Sequence, residues 1–353
     1  MRLHFDPVKI LKAKLIRNVR RPHFDYDDVV RGEVWACTDL DAFPQPLPRL
    51  KGIRGIVIME DRDPEFYLSF RHYQPWAETN LNRHGPLHKW HTQQDLKELV
   101  KALHEQKIKV AIGFWNYAGM AYGTLSQASF FRAHPEIVRT PGSSDMHPFT
   151  QLVKEGIAYS DYIAHQYQKL QETFHFDGLM FGDGFCGFRS YNPNRYRDQE
   201  EAIPQWTEFY ATIARTIHNA KGILLAYDCQ GFSYSEAQRH GVDYKDLSKA
   251  GLDMLVYQSY PQAWAEYWFS AYKDKFDLDS NVINLRTVKK ALAGTGTKVL
   301  YTLELGDSVE KWWADQEKTR KQVERLDPLA DGRFLVWAND LFAGLEPYTK
   351  SAG

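Results

Sequence analysis

The sequence predicts a closed (β/α)8 TIM barrel, a single α/β domain with long βα loops, and three observations predict it. Eight short apolar runs of buried-strand type recur along the 353 residues, and stretches of helical periodicity separate them. Most of these runs are continuous rather than alternating, the pattern of parallel strands covered on both faces. The rival, a doubly wound open sheet, would carry a Gly-rich phosphate turn after an early strand. Here the lone GTG at 294–296 precedes a strand instead.

Taken in order, residues 1–30 read as a helical extension, with DPVKILKAKLIRNV (6–19) capped by Asp6 and carrying Pro7 in its first turn. The barrel then occupies about 31–345, within one domain spanning 1–353. Its strands are EVWACT (33–38), GIVIME (55–60), KVAIGFW (109–115), DGLMFGD (177–183), GILLAYD (222–228), MLVYQSY (254–260), KVLYTLE (298–304) and FLVWAND (334–340). Of the intervening helices, TQQDLKELVKALHEQK begins at Thr92 as N-cap and sets Leu96, Leu99 and Leu103 on one face. EAIPQWTEFYATIARTIHNA (201–220) and SVEKWWADQEKTRKQVERL (308–326) follow the same logic. The tail after Asp340 leaves little room for an eighth helix, and the N-terminal helix is expected to cover that gap.

Composition narrows the function classes. With 44 basic against 45 acidic side chains the formal charge is −1, so no nucleic-acid footprint is expected. No apolar run approaches the ~18 residues of a spanning helix, and MRLHFDPVKILKAKLIR lacks a cleavage site, so neither a membrane nor a signal peptide is expected. The three cysteines (Cys37, Cys186, Cys229) are odd in number and show no CxxC spacing, which places the expected compartment in the cytoplasm. An aromatic share of 14% is high. Aromatic rings fill cores, and they also form platforms for sugar faces.

Barrel enzymes place their reacting groups where strands end and βα loops begin. Those ends carry Glu60, Trp115 with Asn116, Asp183, Tyr227 with Asp228, Gln258 with Tyr260, Glu304, and Trp337 before Asn339 and Asp340. Asp39, Asp61 and Asp340 are placed to cap the following helices. Asp183, Asp228 and Glu304 instead follow apolar runs directly, and these three are the candidate catalytic residues. Histidines such as His88 and His91 cluster in loops without a ligand motif, so no metal and no cofactor is expected. A GxSxG elbow is absent, and Lys109 and Lys298 open their strands at the wrong end for Schiff-base chemistry.

What remains is a mouth of carboxylates and aromatics. Cleaving a glycosidic bond needs one ionised and one protonated carboxyl group. Tyr227, Tyr260, Trp264, Trp115 and Trp337 suit stacking on pyranose rings, while Glu60, Asn116, Gln258 and Arg189 are candidate hydroxyl ligands. The expected partner is a carbohydrate substrate; oligomeric state is left open. A different barrel enzyme (a lyase, isomerase or metal-assisted hydrolase) and a non-catalytic sugar-binding barrel are the alternatives.

FDGLMFGDGF (176–185) resembles the fourth-strand segment of (β/α)8 glycoside hydrolases of the dextranase and α-amylase-like retaining groups. The resemblance implies Asp183 as nucleophile, Asp228 as acid/base and Glu304 as a third, stabilising carboxylate. Phe181 stands where α-amylases hold an arginine, and Asp228 where they use Glu. YTLELG also resembles a second barrel clan, which would make Glu304 the nucleophile and Asp183 the acid. Within FDGLMFGD the two aspartates lie about 20 Å apart along the strand. Asp177, like Asp253 before strand six, is therefore expected to serve structure at the opposite end from Asp183.

Overall fold

In a computed structural model the described residues are 24–38, 43, 46–60, 93–114, 158–182, 199–228, 230–268, 270–307, 312–336, 338, 341–342 and 345–349. Eight parallel strands close on themselves: β1 (Val34–Thr38), β2 (Gly55–Glu60), β3 (Lys109–Phe114), β4 (Gly178–Phe181), β5 (Ile223–Tyr227), β6 (Met254–Tyr257), β7 (Lys298–Glu304) and β10 (Gly332–Val336). Each pairs with its sequence neighbour, and β10 pairs with β1 through Val34↔Arg333 to Ala36↔Leu335. The fold is the expected α/β barrel.

Between the strands run α1 (Gln93–Glu105), α2 (Tyr159–Phe174), α3 (Gln199–Asn219), α4 (Tyr234–Arg239), α5 (Tyr244–Lys249), α6 (Leu278–Ala291) and α7 (Gln316–Leu326). The periodic leucines of α1 do as their spacing requires: Leu96, Leu99 and Leu103 are fully buried. Each such side chain contributes about 1.5–3 kcal/mol by leaving water. Strand residues pack in two separate sets. Val110, Ile112, Leu179, Leu224 and Tyr301 join the helices in the outer core, while Trp35, Val57, Met59, Met180, Leu225, Tyr227, Val256, Leu300 and Phe334 fill the barrel interior. Trp35 lies across that interior because Gly55 has no side chain; a Cβ there would stand 2.3 Å from the indole.

Three expectations are corrected. The helix expected over 308–326 begins only at Gln316, where Asp315 caps it by accepting Lys318 N–H. The aromatic pair ahead of it, β9 (Trp312–Trp313), instead forms a small antiparallel ladder with β8 (Gly306–Asp307). The last barrel strand starts at Gly332, two residues before the apolar run, because Arg333 is itself buried. Strand six stops at Tyr257, so Gln258 and Tyr260 belong to the following loop. The tail runs back along the post-β1 segment: Tyr348 N–H donates to Leu47 and Arg49 N–H to Glu346 (2.7 and 2.8 Å), with Phe342 packed on Phe43. The expected helix at 6–19 and the cap Thr92 lie outside the described residues. No helix among the described residues is long and apolar enough to cross a membrane.

Candidate active site

At the C-terminal ends of the strands the structure describes two of the three candidate carboxyls, Asp228 and Glu304. They differ in the direction the strand gives them. In β7 the residues alternate, so Glu304 shares the face of Leu300, which lines the barrel interior. In β5 the interior face belongs to Leu225 and Tyr227, and continuing the alternation sets Asp228 on the side of Leu224 and Ala226. Among the described strand-end carboxyls, Glu304 is the one whose strand register directs it to the barrel axis.

The segment after β6 holds both. Gln258 N–H donates to Asp228 Oδ1 (3.1 Å), and Gly231 N–H lies 3.0 Å from each Asp228 oxygen. Gly231 takes φ of +69°, and a Cβ at that position would meet the Gln258 carbonyl oxygen at 2.4 Å. Further along, Gln262 N–H donates to Glu304 Oε2 (2.9 Å) and Ala263 N–H to Oε1 (2.8 Å). Residues 263–268 form a π-helical turn, so the Glu304 carboxyl receives the N–H groups at its start. Two buried glutamines fasten this segment to the rest of the mouth. Gln322 of α7 donates to the carbonyls of Ser259 and Thr302, and Gln262 bonds α7 directly.

Glu304 is 2% exposed. Burial pushes its carboxyl up to about 8, because a charged group loses hydration there; the two N–H bonds pull the other way and do not outweigh it. Glu266 adds to the rise and Lys318 opposes it, and these two form an ion pair with each other (2.5 Å). At neutral pH Glu304 therefore holds a proton. A protonated carboxyl at the mouth of a barrel can give that proton to a leaving group.

The expected binding residues divide. Tyr227 is wholly buried, edge-on to Phe334 in the barrel interior, and Trp264 is buried between Tyr260 and Phe276 (centroids 4.6 and 5.2 Å). Both rings pack the core. Gln258 is buried and contributes its backbone N–H to Asp228. Tyr260 is partly exposed and packs against both the interior cluster and the outer core. Asp183, Trp115, Asn116, Arg189 and Trp337 lie outside the described residues, and Glu60 is described in its backbone alone, at the end of β2. Sequence reasoning missed Gln262, Thr319 and Gln322. Only Gln262 left a signal, in QSYPQAW: a second glutamine inside an apolar stretch directly after a strand.

No family model matches the sequence, and no curated protein is similar to it. Among solved structures it is similar to the PgaB (BpsB) glycoside hydrolase domain from Bordetella bronchiseptica, at 13% identity and a TM-score of 0.53, over 90% of this chain and 100% of that one. The two share a barrel fold. Similarity also extends to an endo-1,4-beta-D-mannanase from Thermotoga petrophila RKU-1 (12% identity, 87% of this chain and 88% of that one, TM-score 0.48). A noncanonic maltogenic alpha-amylase from Thermotoga neapolitana aligns at 15% identity, over 90% of this chain and 70% of that one, with a TM-score of 0.47.

Proposed function

We propose that this protein is a glycoside hydrolase that uses Asp183 as its ionised carboxylate and Glu304 as its proton donor, on a carbohydrate substrate held at the strand ends. What supports the reading above the rest is the place of Glu304: the register of β7 sets it on the interior face with Leu300, and its burial pushes the carboxyl up to about 8. Glycosidic cleavage requires such an acid opposite an ionised partner. Here Glu304 takes the role that the resemblance gave to Asp228. Asp228 becomes a framework residue, because its oxygens tie the post-β5 turn to the post-β6 segment. Tyr260 offers a ring at the mouth for a sugar face.

A second reading is favoured by the hydrogen bonds themselves. Both Glu304 oxygens accept backbone N–H groups, which is also how a purely structural cap is built. Kinetics on a panel of aryl glycosides separate the two. Under the proposal, Asp183→Asn abolishes turnover. Glu304→Gln lowers kcat about 10²- to 10⁴-fold for poor leaving groups and far less for good ones, since only the former need a proton. Wild-type kcat/KM should fall as pH rises through about 8, where Glu304 deprotonates. Full activity in Glu304→Gln makes the residue a cap, full activity in Asp183→Asn refutes the role given to Asp183, and no hydrolysis of any glycoside by the wild type refutes the glycosidase reading.

A further inference from the structure

We propose that Gln262 is a positioning residue for Glu304, locking the backbone donors of that carboxyl to the first turn of α7; this rests on Glu304 being the working acid. The geometry is a closed chain of contacts. Gln262 Oε1 accepts Asp315 N–H (2.7 Å), and Gln262 Nε2 donates to Thr319 Oγ1 (3.2 Å). The Thr319 hydroxyl stands 3.0 Å from the Asp315 carbonyl and 3.4 Å from the Glu304 carbonyl. From the same residue, Gln262 N–H reaches Glu304 Oε2, and the next N–H, that of Ala263, reaches Oε1. One side chain thus fixes, through its own backbone, the two donors that orient both carboxyl oxygens.

The arrangement is costly enough to need a purpose. Gln262 and Thr319 are each 3% exposed, and a buried amide must have its bonds made or lose stability. An apolar side chain would fill the volume between the post-β6 segment and α7 without that demand. It would not fix the angle at which the two N–H groups meet Glu304. A loop placed by side-chain hydrogen bonds at both ends of the amide has one geometry, and catalytic groups depend on being held to within about half an ångström.

Loosening these donors removes part of what favours the ionised carboxylate, so the Glu304 titration should move to higher pH, by about half a unit to one unit. Among the described residues, Glu266 on the π-helical turn and Lys318 on α7 are the charged groups that act on Glu304, and they are unchanged in the variants chosen. The test uses Gln262→Met, which keeps volume and loses both bonds, and Thr319→Val, which removes one partner from the other side. Glutamate carboxyls labelled with carbon-13 are titrated by NMR in the full chain, with Glu304 assigned by its absence in Glu304→Gln. The proposal expects the Glu304 resonance to titrate at higher pH in both variants and the limb of the kcat profile to move with it, while KM stays within about twofold. If the resonance moves but no hydrolysis exists to follow, the positioning stands and the glycosidase reading falls. If both variants are folded and the Glu304 titration is unmoved, Gln262 only packs and the proposal is overturned.

Discussion

Glu304 carries a consequence for stability that is independent of any catalytic role. An acid that holds its proton more tightly when folded makes stability fall as pH rises between its unfolded and folded values. Unfolded glutamate releases its proton near about 4.3, whereas Glu304 keeps its own to about 8. The contribution is complete below the lower value and is lost through the window between them. Over that window the slope approaches about 1.4 kcal/mol per pH unit for one proton. Glu304→Gln carries no titrating proton, so its urea midpoint should gain steadily on the wild type from pH 5 to pH 8. Two curves that stay parallel across that range would mean that Glu304 ionises like an exposed carboxyl. Asp177, whose burial is outweighed by the His104 and Val110 hydrogen bonds, is shifted downward, so it acts below this window and with the opposite sign.

At the other end of the barrel one device recurs at the fourth, sixth and eighth barrel strands. Asp177, Asp253 and Asp331 each stand immediately before a strand, and each accepts the N–H of the second residue of the strand before it: Val110, Leu224 and Val299 (2.8, 2.7 and 2.8 Å). Each also meets a basic side chain from the helix that precedes that strand, namely His104, His218 and Lys289. The clamp joins strand, helix and next strand at a point where the chain has just turned. Asp253→Ala should cost about 1–2 kcal/mol, because the Leu224 N–H loses its acceptor, while Asp253→Asn, which keeps an oxygen, should cost less. Urea unfolding measures both, and kcat should be unchanged in each. Asp177 and Asp253 were legible as structural in the sequence because each abuts a clean apolar run. Asp331 was not, since the buried Arg333 interrupts its run and pushes the apparent strand start to Phe334. The same limit applies at the mouth. Glu304 and Asp228 are equally visible as carboxylates after apolar runs, but only strand parity tells which faces the axis. Their partners include backbone N–H groups 30 residues away for Asp228 and 42 for Glu304, which no side-chain identity announces. The burial of Tyr227 and Trp264 was hidden for a related reason, since composition cannot separate a ring that stacks on sugar from one that fills the core.

Closure of the barrel is a property of the whole molecule, and Arg333 is where it is made. The chain must bring residues about 300 positions apart into one ladder, β1 against β10, and loop closure of that length carries an entropic cost that local contacts do not offset. Arg333 is 3% exposed and bonds across this seam. Its guanidinium donates to the carbonyls of Asp28 and Val29 (3.0 and 2.8 Å) and pairs with Asp327, which also accepts the Tyr301 hydroxyl (2.7 Å). One side chain therefore links the segment before β1, the last barrel strand, β7 and the turn after α7. Arg333→Met keeps most of the volume and removes the donors, leaving the Asp28 and Val29 carbonyls without them. The expected loss is about 2–3 kcal/mol. If closure is a step of the global fold, far-UV circular dichroism and tryptophan fluorescence should shift together to the same lower urea midpoint, because Trp35 of β1 sits in the barrel interior that closure encloses. A fluorescence change that precedes the loss of helix would show β1 peeling from an otherwise intact barrel, and the seam would then be a local contact rather than the lock on the fold.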